Sequence, residues 1–102
     1  MKTYDTFTKI RGWAHARNLV SGSTPEKQFI KLHEELGEMA AGMARGDQVR
    51  IMDGIGDAMV VLTILAEQQG YTVESCLEMA WDEIKDRKGR MVDGIFVKEA
   101  DL

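Results

Sequence analysis

The chain of 102 residues has the size of one domain, and its 44% hydrophobic and 29% charged residues are typical of a folded globular protein. Its net charge of −4 argues against a broad nucleic-acid or membrane footprint, which needs a basic excess. Cys76 is the only cysteine, and the longest apolar stretch, 58–66, is far shorter than the roughly 20 residues of a membrane span. We therefore expect a soluble, cytoplasmic protein.

Four segments with helical periodicity, separated by glycines, follow one another along the chain. Thr24 can cap the second segment with Pro25 in its first turn, and Asp47 and Thr72 can cap the third and fourth. The predicted helices cover about residues 4–18, 25–44, 48–69 and 73–88, and a tail covers 90–102. Within the tail, 95–97 can form a short extended piece or a flap. This pattern predicts an all-α four-helix bundle in one domain, residues 1–102.

The second helix combines an apolar stripe with a line of polar side chains along its shoulder. The stripe consists of Phe29, Ile30, Leu32, Leu36, Met39, Ala40 and Met43. Gln28, Lys31, Glu35 and Glu38 follow the shoulder, and Glu34 lies further towards solvent. Glu35 and Glu38 are three residues apart and repel each other unless a cation lies between them. On this helix alone, surface acids paired with lysine or arginine explain the pattern equally well.

The third helix carries apolar residues on nearly every side, which predicts a buried helix and, in so small a chain, self-association. Asp53 and Asp57 are costly on such a helix unless they are paired or bound to a metal ion. Gly54 and Gly56 flank them, which suggests close approach of another backbone or a ligand. If Glu35, Glu38, Asp53 and Asp57 converge, their oxygens suit Mg²⁺ or Mn²⁺ and a phosphorylated ligand.

With these motifs, the sequence from about residue 13 to 98 resembles the MazG-like all-α nucleoside triphosphate pyrophosphohydrolases, especially their compact single-domain versions in phages and bacteria. Glu34, Glu35 and Glu38 match the family's Glu-Glu-x-x-Glu motif. Asp57 matches the end of its Glu-x-x-Asp motif, but the glutamate position is Gly54 here. We expect Asp53 to replace that glutamate. The exchange Asp53→Ala with Gly54→Glu should then restore part of the activity lost without Asp53.

The resemblance implies Mg²⁺-dependent hydrolysis of a nucleoside or deoxynucleoside triphosphate to the monophosphate and pyrophosphate, with Mn²⁺ as an alternative ion. It implies metal ligands at Glu35, Glu38 and Asp57, joined by Asp53, and a catalytic set that also contains Glu34. Either Glu34 or Glu38 can orient or deprotonate the attacking water. Family members are dimers or tetramers, so the expected partners are the substrate and further copies of this chain.

Further residues are predicted to bind the substrate. They are Lys31, Gln28, Trp13, Asn18, Lys85, Lys88 and Arg90. Lys31 is equally compatible with a simple pair to Glu35, and Trp13 with a core or interface position. The alternative function is a non-catalytic nucleotide-binding or helical interaction module with vestigial acids. A di-iron carboxylate bundle is disfavoured, because no Glu-x-x-His motif is present.

Overall fold

The structure is a computed structural model that describes residues 3–102, with side chains from Thr6 onward. Its elements are α1 (Thr3–Ala16), α2 (Pro25–Arg45), α3 (Gln48–Gln68), α4 (Val73–Ile84), β1 (Gly89–Val92), β2 (Ile95–Lys98) and a final 3-10 turn (Glu99–Asp101). The prediction of a mostly helical chain with four helices is confirmed for the described residues. The prediction of an all-α chain is wrong for the last residues, because the tail contains a β-hairpin. None of the described helices has the length and hydropathy needed to cross a membrane.

The helices begin at the predicted capping residues. The Thr24 hydroxyl accepts a hydrogen bond from the Lys27 amide at 3.2 Å, and the Asp47 carboxylate accepts one from the Arg50 amide at 3.1 Å. Thr72 forms a reciprocal capping box with Ser75 at the start of α4. Since these bonds satisfy amides that lack a partner inside the helix, local sequence alone defines all three starts.

Two helix ends differ from the prediction. Helix α1 ends at Ala16 rather than 18, because Asn18 adopts the left-handed backbone conformation (φ 60°) and its carbonyl accepts a hydrogen bond from the Gly22 amide. Helix α4 was expected to reach residue 88 but ends at Ile84, and strand β1 begins at Gly89. The substrate-binding candidate Asn18 thus has a structural role in the turn after α1.

The antiparallel pair α2–α3 forms the body of the molecule, and its helices meet through small residues. A Cβ atom added at Gly54 would lie 3.0 Å from Met39 Cβ, and one added at Gly42 would lie 3.0 Å from Arg50 Cγ. The predicted close approach at Gly54 is therefore confirmed, and it is made by the neighbouring helix. At Gly56 the predicted approach of another backbone is wrong, since, apart from its chain neighbours and the backbone of α3 itself, no atom of the described residues lies within 4 Å of such a Cβ.

The helix faces are distributed differently from the prediction. Helix α2 buries Gln28, Glu35 and Gly42 along one line, while most of its apolar stripe, including Phe29 and Leu36, is exposed. Helix α3, expected to be buried all round, leaves Val49, Met52, Ile55 and Leu62 exposed. The reason is that a single chain supplies too few neighbours: α2 covers one side of α3, while α1 and the start of α4 cover only part of the rest.

A group of partly buried charges connects α1 with α3 and α4. The Arg11 guanidinium donates hydrogen bonds to both carboxylate oxygens of Glu74 and lies 3.8 Å from Glu67, which also contacts His15 at 3.0 Å. Beside it, Phe7, Ala66 and Val73 form a small apolar cluster. Bonding to Arg11 holds the pKa of Glu74 below its usual range. This group therefore fixes the start of α4 against the first helix.

Replacing Arg11 by Met is expected to lower the free energy of unfolding by about 1.5–3 kcal/mol, the usual value of hydrogen bonds to charged groups. The loss removes the cation that contacts both Glu67 and Glu74. Because the folded-state pKa of Glu74 is lowered, this stabilisation is present above the ordinary glutamate pKa and disappears as the pH falls through the folded-state pKa. Urea unfolding at neutral and acidic pH measures it; an equal loss at both would contradict the assignment.

A tight hairpin follows α4. Asp93 (φ 51°) and Gly94 (φ 81°) both adopt the left-handed conformation, as a type I′ turn requires, and they connect Val92 directly to its partner Ile95. The prediction of an extended piece around 95–97 is confirmed. An Asp-Gly pair between two apolar residues is a strong hairpin signal, so this turn was readable from the sequence.

Candidate functional site

Glu35 is a buried carboxylate with incomplete hydrogen bonding. Glu35 is only 6% exposed, because it lies on the line of buried α2 residues that packs against α3. Glu35 Oε1 lies 3.5 Å from Lys31 Nζ, but Oε2 is buried and has no hydrogen-bond partner among the described residues. An unsatisfied buried oxygen of this kind costs free energy that a cation or a donating ligand would recover.

Glu35 and Asp57 line the same cleft between α1, α2 and α3, which has a volume of about 500 Å³. Lys27, Gln28 and Lys31 are its other polar residues, and Trp13 and several aliphatic side chains supply its apolar wall. A second cleft of about 520 Å³ adjoins it, shares Trp13, Asp57 and Val60, and adds Lys9, Thr6 and Ile10. Lysines therefore line the space on both sides of Asp57.

The electrostatics of Glu35 show which acids lie near it. Burial raises the pKa of Glu35 above its usual range, and the charges of Asp57 and Glu38 raise it further, while Lys31 acts in the opposite direction. Glu35 thus interacts with Asp57 across the α2–α3 contact and with Glu38 along α2. Their mutual repulsion is what a bound cation would relieve.

The four predicted metal ligands do not all line one cleft. Glu38 and Asp53 line a separate cleft of about 350 Å³, together with Asp47 and Arg50. Within residues 6–102, no three His, Cys, Asp or Glu side chains are grouped closely enough to hold a metal ion by themselves. Of the four acids, Glu35 and Asp57 therefore line one cleft, and Glu38 and Asp53 line another.

The remaining predicted residues near α1 and α2 lie in varied surroundings. Glu34 is exposed, lines none of the clefts described above and accepts a hydrogen bond from Lys31 at 3.4 Å. Gln28 is buried and donates from Nε2 to Ser23 Oγ at 3.0 Å. Trp13 is 44% exposed, and the Arg17 guanidinium carbon lies 4.9 Å from the centroid of its ring. Trp13 and Gln28 thus lie at the Glu35 cleft, while Glu34 lies beside it.

The three predicted basic residues beyond α4 are not brought to Glu35 within one chain. The Lys85 ammonium pairs with Asp82 at 3.2 Å, and the Lys88 carbonyl accepts a hydrogen bond from the Glu99 amide. Arg90 lies in β1 opposite Val97. None of these basic residues lines the Glu35 cleft or its neighbour.

Sequence reasoning missed two lysines of these clefts. Lys27 precedes Lys31 by four residues, so helical spacing places both on one face, and this signal was readable from the sequence. Lys9 precedes Trp13 by the same interval on α1 and lines the adjoining cleft. Together with Lys31 they supply three lysines to the two adjoining clefts that Asp57 lines.

Changing Glu35 to Gln is expected to stabilise the metal-free protein at neutral pH. Because the folded-state pKa of Glu35 is raised, the native state is favoured below the ordinary glutamate pKa, and this advantage is lost as the pH rises through the folded-state pKa. The variant should therefore melt a few degrees higher at pH 7, with about 4–8 °C expected per kcal/mol in a domain of this size. The difference should shrink near pH 4, and a variant that melts lower at pH 7 would contradict the assignment.

Comparison with known proteins gives a phage relative without an assigned role. The chain is 52% identical over 69 residues to an uncharacterized 18.2 kDa protein from the rep-hol intergenic region of Haemophilus phage HP1. The match covers 68% of this chain and 41% of that protein, so the chain spans less than half of the relative's length. No family model and no solved structure matches the chain.

Proposed function

We propose that this protein is a metal-dependent nucleoside triphosphate pyrophosphohydrolase, which releases pyrophosphate and leaves a nucleoside monophosphate. The observation that carries the proposal is the buried Glu35 Oε2, which lacks a donor and belongs to a carboxylate that shares a lysine-lined cleft with Asp57. The resemblance of the Glu34–Glu38 and Asp57 motifs to the MazG-like enzymes points to the same reaction.

The donor set of the cleft fits a small, hard cation. Mg²⁺ in phosphate chemistry is held by one or two carboxylates together with substrate phosphates, so a pair of acids is sufficient. Glu35 and Asp57 would hold Mg²⁺ or Mn²⁺, and the unsatisfied oxygen of Glu35 is where a ligand bond is missing. When bound, the ion neutralises phosphate charge and lowers the pKa of a coordinated water.

The side chains around this pair have complementary roles. Lys27 and Lys31 neutralise phosphate oxygens, while Lys9 does the same in the adjoining cleft. Trp13 offers an apolar face to the base, and Gln28 contributes hydrogen bonds to base or sugar.

Glu38 and Glu34 are the two candidates for orienting the attacking water. The charge of Glu38 acts on Glu35, whereas Glu34 faces solvent beside Lys31. Glu38 is thus the candidate whose charge reaches Glu35, although it lines the separate cleft with Asp53 and not the Glu35 cleft.

Incubation of the purified protein with a panel of ribo- and deoxyribonucleoside triphosphates tests the proposal. Pyrophosphate should appear with at least one of them in the presence of Mg²⁺, stop on addition of a chelator and resume with excess Mg²⁺. If the protein binds nucleotides measurably but no nucleotide of the panel gives pyrophosphate, a second candidate function is favoured. That candidate is a nucleotide-binding module, and it is favoured by the absence of a three-acid group within residues 6–102.

The role of Asp53 decides whether the proposed metal site has three acids or four. Asp53 lies with Glu38 and Arg50 in the separate cleft rather than with Asp57. If Asp53 replaces the family's missing glutamate as a metal ligand, Asp53→Asn should lower turnover by about 10–100-fold, as the loss of ligands or their supports does. Steady-state kinetics at several Mg²⁺ concentrations measure this. An unchanged turnover and Mg²⁺ requirement would limit the site to Glu35, Asp57 and Glu38.

A further inference from the structure

Three residues at intervals of four form one line along α2 beside the candidate site. They are Lys27, Lys31 and Glu35, and all three line the Glu35 cleft. Four residues advance about 6 Å along a helix, so Lys31 lies about midway between Lys27 and Glu35. A chain of phosphates that leads along α2 from Glu35 to Lys27 therefore passes Lys31.

The Lys31 ammonium lies between two carboxylates at the Glu35 end of this line. Its Nζ is 3.5 Å from Glu35 Oε1 and 3.4 Å from Glu34 Oε2. Glu35 Oε2, in contrast, is buried without a hydrogen-bond partner among the described residues. Lys31 thus serves as a counter-ion of Glu35 and leaves one oxygen of that carboxylate open.

Three features make the pair of Lys31 with Glu35 weak. Its distance of 3.5 Å exceeds the roughly 2.7–2.9 Å of a strong charge-assisted hydrogen bond. Lysine precedes glutamate here, which is the less favourable orientation for two residues four apart on a helix. The Lys31 side chain is 52% exposed and has a flexible four-carbon stem, whereas the Glu35 side chain is 8% exposed. When the pair opens, Lys31 is therefore the partner that moves.

The same ammonium opposes the binding of a divalent cation to Glu35. It lies so close to the Glu35 carboxylate that it would repel any cation bound there, and this repulsion is stronger beside a partly buried group than in open water. A cation that arrives without phosphates therefore binds against the charge of Lys31. Phosphates in the cleft offer Lys31 a more negative partner and draw it away from Glu35.

We propose that Lys31 exchanges partners: its ammonium pairs with Glu35 in the empty site and moves to a phosphate oxygen when a metal ion and a triphosphate bind together. The inference rests on the metal and phosphate site of the proposed function and adds a regulation to it. Because the triphosphate removes the charge that opposes the cation, the binding of each ligand favours the binding of the other. The pair with Glu35 and the contact with phosphate are thus two states of one side chain.

Lys27 offers a matched control for Lys31. It lines the same cleft, but no ion pair joins its ammonium to an acid of the described residues. It lies about 12 Å from Glu35 along the helix axis, which exceeds the Debye length of about 8 Å at physiological ionic strength. Lys27→Met and Lys31→Met remove the same charge from the same side of α2. Both positions are exposed and methionine is as good a helix former as lysine, so both variants should fold.

Two titrations of the full chain test the inference. The first uses Mn²⁺ alone and follows the electron paramagnetic resonance of the free ion. Lys31→Met should bind Mn²⁺ at least about fivefold more tightly than the wild type, whereas Lys27→Met should change the affinity by less than about twofold. The second uses calorimetry with Mg²⁺-saturated inorganic triphosphate. Both variants should bind this complex at least about fivefold more weakly than the wild type, since each loses a contact to phosphate.

Opposite effects of Lys31→Met on the two affinities, with a loss of triphosphate affinity alone for Lys27→Met, support the exchange. An unchanged or lower Mn²⁺ affinity of Lys31→Met would overturn it, as would an equal gain for Lys27→Met, which would reflect net charge alone. Unchanged triphosphate affinity of Lys31→Met would overturn it too, because the ammonium would not move to phosphate.

The proposed hydrolysis can fail separately from the exchange. If both titrations give the expected results but no nucleoside triphosphate releases pyrophosphate, the exchange stands and the proposed reaction is rejected. A wild type that binds neither Mn²⁺ nor the triphosphate complex would reject both.

Discussion

Asp57→Asn is expected to lower kcat/KM for pyrophosphate release by at least about 100-fold, equivalent to about 2.7 kcal/mol of transition-state stabilisation. Asp57 lines both the Glu35 cleft and its neighbour, so it lies where a metal ion and the triphosphate would meet. The amide has the same shape but no charge, and it holds a divalent cation poorly. Helical content should remain, because the substitution removes no cap and fills no cavity.

The same variant has a second readout that does not involve catalysis. Burial raises the pKa of Glu35 and the negative charge of Asp57 raises it further, so Asp57→Asn should bring that pKa part of the way back towards its usual range, as carboxyl-carbon NMR titration can show. Glu26→Gln, in the exposed first turn of α2, is the matched control for removal of one acid and should keep full activity. Full activity of Asp57→Asn would mean that the reaction does not use the Glu35 cleft.

Gly54→Glu is expected to destabilise the protein by about 1–3 kcal/mol or more, the usual cost of overpacking a well-packed contact. A Cβ at position 54 would lie 3.0 Å from Met39 Cβ and 3.4 Å from Met39 Cα, and the Met39 backbone cannot give way by changing a rotamer. The helices must therefore move apart, which also separates Glu35 from Asp57. The exchange Asp53→Ala with Gly54→Glu, expected from the resemblance to restore activity, should instead lose it. That expectation assumed space for a glutamate side chain, and Met39 occupies this space.

Gly56→Ala supplies the control for Gly54→Glu on the same helix. Apart from its chain neighbours and the backbone of α3 itself, no atom of the described residues lies within 4 Å of a Cβ at position 56, so alanine should stabilise α3 by about 0.5–1 kcal/mol through its better helix propensity. Urea unfolding of both variants measures the difference. If Gly54→Glu unfolded like the wild type, the α2–α3 contact would have to be looser than described.

Local sequence signals predicted where the helices lie in the chain. They could not predict which face of each helix packs against a neighbour. Caps such as Thr24 and Asp47 act within four residues, so the sequence contains everything that defines them. The apolar stripe with Phe29 and Leu36 suggests a buried face, yet a wheel cannot say which partner covers it. In the described chain the contact with α3 is made by the line of Gln28, Glu35 and Gly42, where small and polar residues allow close approach.

The acids of the candidate site could be predicted from the sequence, but which of them line the same cleft could not. Motif spacing singled out Glu35 and Asp57, which share a cleft. That Glu38 and Asp53 belong to another cleft depends on the register between the helices, which contacts such as Gly54 with Met39 determine. Such long-range contacts have no signature in local sequence.

Phosphorus NMR of the wild-type protein with its best nucleoside triphosphate and Mg²⁺ tests the proposed function most directly. For the wild type, the pyrophosphate and nucleoside monophosphate signals should grow in equal amounts, without nucleoside diphosphate. For Asp57→Asn, the nucleoside triphosphate signals should stay unchanged over the same time. Nucleoside diphosphate with inorganic phosphate as products, or equal rates for the wild type and Asp57→Asn, would contradict it.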